Sequence, residues 1–407
     1  MSPLFSRDTN LATSVDLLAE LIEKREENAS KWQRAIEKVC KRAEHAAPEE
    51  VKQAQQRLAE MMLEVPLVLA SLFALASGAL VEKGADIEIP ARAIFERTYE
   101  ALILATDFGK ACLEYAQEHH AADDHRQHTK DDSENEDDEL DIEECVEEHG
   151  ASLAEKMMEE AMGWHALDGL STAALAIVTR SARQRTIVRS NAEFMKALQE
   201  CPAHATLQCL RVALNILENE EIIVLHPELL RGYRIRINNI GLNFELHTLL
   251  ADALIGDPAQ GWLPGQRPDP RVVAAAKDGP FPVPGDRQYN KFPHAEGTFN
   301  LWNWRGLQAD GTLPSADLVD HVRKAAETGN DDDEESTTYW IWNEGQPADI
   351  EPFEGTRIIL LGPPPYNRYW NAGRFFPHIS SELEVLEKLP EQQVRQWLTR
   401  IATAAHA

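Results

Sequence analysis

Residues 220–240 read EEIIVLHPELLRGYRIRINNI. Residues 222–226 are a short apolar run rich in β-branched side chains. After a turn, Tyr233, Ile235 and Ile237 alternate with Arg234, Arg236 and Asn238. That period of two is the pattern of a strand with one buried and one cationic face, so a pair of strands is predicted here. Upstream, apolar residues recur every three or four positions; downstream, short strand patterns alternate with helical ones and with prolines. The expected class is therefore α+β and multi-domain: an all-α N-terminal helical bundle, then a Trp- and Pro-rich mixed α/β domain with a small sheet. A chain of 407 residues also exceeds what one core usually organises. The expected layout is a bundle in two parts, 1–117 and 149–220, an acidic linker or loop at 118–148, and the mixed domain at 221–407.

Upstream of the strands, Thr13 and Asp16 read as a capping pair. Val15, Leu18, Ile22, Arg25, Ala29, Trp32, Ile36, Val39 and Ala43 then form one long helical seam interrupted at Arg25. Pro48 and Pro90 open further helices. Residues 65–81, VPLVLASLFALASGALV, carry no charge, and Ala70, Ala74 and Gly78 recur at four-residue steps. The length is marginal for a span and the flanks lack clustered cations, so a helix buried in the bundle is predicted rather than a membrane segment.

Downstream, Asn243 is expected to cap a helix that stops at Gly256, and eight prolines between Pro258 and Pro293 favour rigid extended connections. Strands are predicted at 298–304, 339–342 and 357–361, and helices at 315–327, 381–389 and after Pro390. Seven of the nine tryptophans follow residue 260, and the echo of Trp302-Asn303-Trp304 in Trp340-Ile341-Trp342 suggests aromatic pairs on strand faces.

The net charge of −28 is uneven, with −13 of it between residues 118 and 148 and −5 in Asp331 to Glu335. Such a balance opposes non-specific binding to nucleic acid, which needs a cationic face. Cys40, Cys112, Cys145, Cys201 and Cys209 are scattered and never spaced as CxxC, which reads as reduced, mostly buried thiols. The first ten residues lack the apolar core of a secretory signal, and a cytoplasmic, soluble protein is the expectation.

Four groups of residues are candidates for chemistry. His119, His120, His125 and His128 lie among carboxylates, but the tract lacks the apolar support that fixes metal ligands, and a solvated loop is the expected state. Residues 355–366, GTRIILLGPPPY, place three prolines where a phosphate loop needs backbone donors, so no nucleotide cofactor is expected. The proline corner instead leads to Tyr366, Arg368, Trp370 and Arg374, planar and cationic side chains suited to binding a partner protein. Arg180, Arg183, Arg185, Arg234 and Arg236 are candidates for an anion site. Glu344, Asp349 and Glu351 near Trp340 and Trp342 offer the carboxylates and stacking wall of a glycosidase-like or esterase-like hydrolase. The expected function is protein–protein interaction or scaffolding in an intracellular complex through the aromatic C-terminal domain, with the hydrolase as the alternative.

Overall fold

The computed structural model describes residues 10–26, 28–127, 142–202, 205–279, 293–314, 339–364 and 367–404. It is an α+β protein whose chain divides into two compact units, residues 1–214 and 215–407.

The first unit is helical: α1 (Leu11–Glu23), α2 (Ala29–Ala43), α3 (Pro48–Glu64), α4 (Leu67–Glu82), α5 (Glu88–Gln127), α6 (Ile142–Ala154), α7 (Met158–Val178), α8 (Ala182–Ser190), α9 (Ala192–Glu200) and α10 (Ala205–Asn215). The seam predicted as one long helix is broken in two. Arg25, its polar interruption, adopts φ 47°, and Asn28 restarts the helix by accepting from the Ser30 amide. This break lets α1 fold back against α2. The start of α1 is also corrected, because Asn10 rather than Thr13 provides the cap, accepting from the Thr13 amide at 2.9 Å.

The apolar segment forms α4, packed on α2, α3 and α7. Small residues set the spacing: a Cβ on Gly78 would lie 3.1 Å from the Ala173 Cα, and one on Gly163 only 2.5 Å from Leu104 Cβ. Among the described residues, no helix is long and apolar enough to cross a membrane. The acidic stretch 118–148, expected as a linker or loop, is helical at both described ends. Extending α5 costs propagation without a new nucleus, and α6 is anchored by buried Cys145 and Val146. Residues 128–141 lie outside the described residues. All five cysteines are free, and Cys112, Cys145 and Cys201 are buried.

The second unit is built on β1 (Glu220–His226), β2 (Arg231–Asn238), β4 (Asn300–Asn303), β5 (Pro352–Phe353), β6 (Thr356–Gly362) and β8 (Glu382–Leu389), in the order β4-β6-β1-β2-β8 with β5 paired to β6. The predicted strand pair is present as antiparallel β1 and β2, and β1 runs parallel to β6. Helices cover both faces. On one, Ile222, Val224, Ile235, Ile359 and Leu361 pack with Leu246, Leu250 and Leu254 of α11 (Asn243–Leu254). On the other, Ile223, Leu225, Ile358 and Leu360 pack with Val394 and Ile401 of α13 (Glu391–Ala404). Burial on both faces explains why β1 and β6 read as unbroken apolar runs. A separate two-stranded ribbon joins β3 (His294–Glu296) to β7 (Tyr369–Asn371), and α12 (Pro270–Lys277) lies between α11 and β3 in the chain.

Three local expectations for this unit are corrected. Residues 381–389, expected as a helix, form strand β8. A bulge opposite Arg234 and Ile235 inserts Leu386, so Leu383, Leu386 and Leu389 fall at helical spacing in a strand. Residues 339–342 make a single bridge, Trp340 to Trp302, rather than a strand. Trp304, expected in the strand, turns out of β4 into a 3-10 turn and packs on Phe353, in the same cluster as Trp302. The helix predicted at 315–327 lies outside the described residues.

Candidate recognition site

The start of α11 organises a cluster of aromatic and polar side chains in the second unit. The first amides of a helix have no partner within it, and here a distant turn supplies them. Asn243 N–H donates to the Gly345 carbonyl at 2.8 Å and Phe244 N–H to that of Asn343 at 2.9 Å. Asn243, expected as the cap residue, lies inside the helix, and its side-chain amide donates to the Trp342 carbonyl at 2.8 Å. Residues 340–345 are thereby held against α11.

From that anchor an aromatic ladder climbs out of the core. Trp302 and Trp340 meet edge to face at 5.2 Å between centroids, and Trp340 and Trp342 at 5.6 Å. Exposure rises along it, from 1% at Trp302 and 6% at Trp340 to 36% at Trp342. The Arg368 guanidinium lies over the Trp340 ring at 5.5 Å and donates to the Phe299 carbonyl at 2.8 Å. Tyr369, next in β7, is 62% exposed.

The residues expected to bind a partner are divided by the structure. Arg368 joins the ladder. Trp370 is buried, its ring 4.9 Å from that of His247 and 5.3 Å from that of Phe244. Arg374 is buried too, donating to the carbonyls of Gly279 at 2.9 Å and Pro377 at 3.1 Å. Alternation along β7 accounts for this, since it turns Trp370 inward and leaves its neighbour Tyr369 outside. Tyr366 lies outside the described residues.

The hydrolase candidates are all exposed. Asp349 accepts the Gln346 amide at 2.6 Å, closing the turn that carries them, and Glu351 pairs with Arg305 at 2.7 Å. The anion candidates are likewise engaged. In the first unit Arg180 pairs with Glu82 at 2.6 Å, Arg183 with Glu88 at 2.7 Å, and buried Arg185 donates to the Val178 carbonyl at 2.8 Å. In the second, Arg234 pairs with Glu387, and Arg236 with Glu221 and Glu384 at 3.2 Å each. Of the histidine tract, His119, His120 and His125 fall on the last turns of α5, where only the backbone is described, and His128 lies outside the described residues. Among the described residues no group of three His, Cys, Asp or Glu is placed to hold a metal.

Two buried titratable residues of α11 escaped the sequence reading. His247 Nε2 accepts the amides of Thr298 at 3.0 Å and Phe299 at 3.2 Å, so the ring is neutral with its proton on Nδ1. Burial lowers its pKa to about 3, the Arg368 charge adds to this, and only the Asn343 side chain opposes it. Glu245 accepts from the amides of Gly241 and Phe375 and contacts the Ser381 hydroxyl. Its burial outweighs these donors and the Arg374 charge, pushing the carboxyl up to about 7. In sequence Glu245 looks like an ordinary first-turn acid, and nothing there marks His247 as enclosed.

The first unit carries a separate concavity of about 400 Å³ between α5 and α8 and α9, with Phe95, Tyr99 and Phe194 lining it and Ile187 47% exposed beside them. No protein-family model matches the chain, and neither a curated protein nor a solved structure is similar to it.

Proposed function

We propose that the chain is a protein-interaction or scaffold protein that recognises a partner protein through the exposed side chains of Trp342 and Tyr369 together with Arg368. The observation that carries this reading is the ladder itself. A large aromatic side chain left 36% exposed, packed at a tilt against a buried one that lies beneath an arginine, has little conformational freedom to lose on binding. Tryptophan, tyrosine and arginine are also the side chains that dominate binding hot spots. Trp370 and Arg374 leave the proposed contact set, since their burial withholds them from a partner. The hydrolase alternative draws less support, because Asp349 and Glu351 are occupied by a turn and an ion pair.

Site-specific photo-crosslinking tests the reading. A benzophenone side chain placed at Tyr369 is expected to capture one partner protein from the native source, and the same partner should then bind the purified chain. Capture of that partner only from a probe at Ile187, in the first unit's concavity, would move the interaction away from these side chains.

A further inference from the structure

Ser381 Oγ lies 3.0 Å from Glu245 Oε2 and 3.1 Å from the Asn239 carbonyl oxygen. A carbonyl only accepts, so the one hydroxyl proton of Ser381 goes to Asn239 if that contact is a hydrogen bond. The same proton can instead go to Glu245 Oε2, and both contacts are full hydrogen bonds at once only when Glu245 carries a proton and donates it to Ser381 Oγ. The other contacts suit the neutral acid as well as the carboxylate, and burial decides between them. Glu245 Oε1 accepts the Phe375 amide, and Oε2 accepts the Gly241 amide at 2.8 Å while donating to Ser381. With the residue only 2% exposed, every site on the neutral group is matched and no buried charge remains to be solvated.

These bonds join three parts of the second unit: the turn after β2, the first turn of α11, and the connection from β7 to β8. Arg374 on that connection is the cation nearest the carboxyl in effect, and Asp278 at the end of α12 acts on Arg374 in turn. Lys277 meets the connection through its carbonyl, which accepts the Ser381 amide at 2.9 Å, and His378 lies on its exposed side.

We propose that Glu245 is a proton-dependent latch: as the neutral acid it seats the 374–381 segment on the start of α11, and its ionisation loosens that segment. The direction follows from linkage. Released to water, the carboxyl returns to its ordinary value of 4.5, whereas seated it titrates at about 7. The seated state therefore holds the extra proton between those values. The latch is tightest in acid, opens progressively as pH rises toward 7, and levels off above. Because the segment leaves from β7, opening also slackens the strand that carries Tyr369.

Hydrogen exchange of the full chain, expressed as protection factors, reads the latch directly. From about pH 5 to about pH 7, protection of the 375–381 amides should fall by up to about tenfold per pH unit, then become flat. Glu245→Gln keeps an acceptor for Phe375 and a donor for Ser381 but leaves the Gly241 amide without an acceptor. Its baseline should be lower and its pH step absent. Carbon NMR of the glutamate side-chain carboxyls in the wild type gives a second reading that does not depend on the variant folding. One carboxyl titrating near 7 is expected. Protection unchanged with pH in the wild type, or no glutamate titrating above about pH 6, overturns the proposal.

Discussion

His247 shows how one side chain sets a pH limit on the second unit. Its seated pKa of about 3 lies below the ordinary 6.5, so between those values the unfolded chain binds the extra proton. Its contribution is complete above 6.5 and is lost as pH falls toward 3, at up to about 1.4 kcal/mol per pH unit. His247→Gln retains an acceptor for the Thr298 and Phe299 amides and removes the titration. Urea unfolding at about pH 5 and pH 7 should show a smaller acid loss in the variant than in the wild type; equal losses would mean the imidazole is not enclosed in a neutral state. The sign is opposite to that of Glu245, whose contribution is lost toward alkali. The legibility of these residues also differs. Residue type alone marks Arg368, Trp370 and Arg374 as contact candidates, and burial withdraws the last two, whereas the enclosure of His247 depends on partners 51 and 52 positions away.

At the scale of elements, the legible parts are those whose pattern is local. The strand pair at 220–238 and the apolar α4 follow from alternation and from unbroken hydrophobicity. The strand β8 was hidden because one bulged residue, Leu386, converted its period of two into helical spacing. The break at Arg25 shows in sequence only as one polar residue in an apolar seam that resumes beyond it, while the backbone there turns to φ 47°. Close packing of α5 and α7 was hidden for another reason, since Gly163 in isolation signals only a weak helix position. A methyl group there would stand 2.5 Å from Leu104 Cβ and 3.2 Å from the Ala105 nitrogen. Gly163→Ala gains helix propensity, yet it should destabilise the first unit by about 1–3 kcal/mol through overpacking. A denaturation midpoint equal to or above the wild type would show that the two helices have room to separate.

For the whole molecule, the two units offer two different surfaces: the exposed aromatic side chains of the second, and the concavity between α5 and α8 and α9 in the first. The proposal that recognition lies in the second unit draws on the concentration of tryptophan after residue 260. The residues that compose the candidate site were not legible there, because Asn243 and Trp342, which lock it together, are 99 positions apart. The most direct test is calorimetric titration of the crosslinked partner, once purified, into the wild type and into Trp342→Ala, Tyr369→Ala and Ile187→Ala. Both changes in the aromatic side chains should weaken binding by at least about tenfold, the loss of one hot-spot side chain or more, while Ile187→Ala binds as the wild type does. Unchanged affinity in Trp342→Ala and Tyr369→Ala, with loss in Ile187→Ala, would contradict recognition by the aromatic side chains and place it on the first unit.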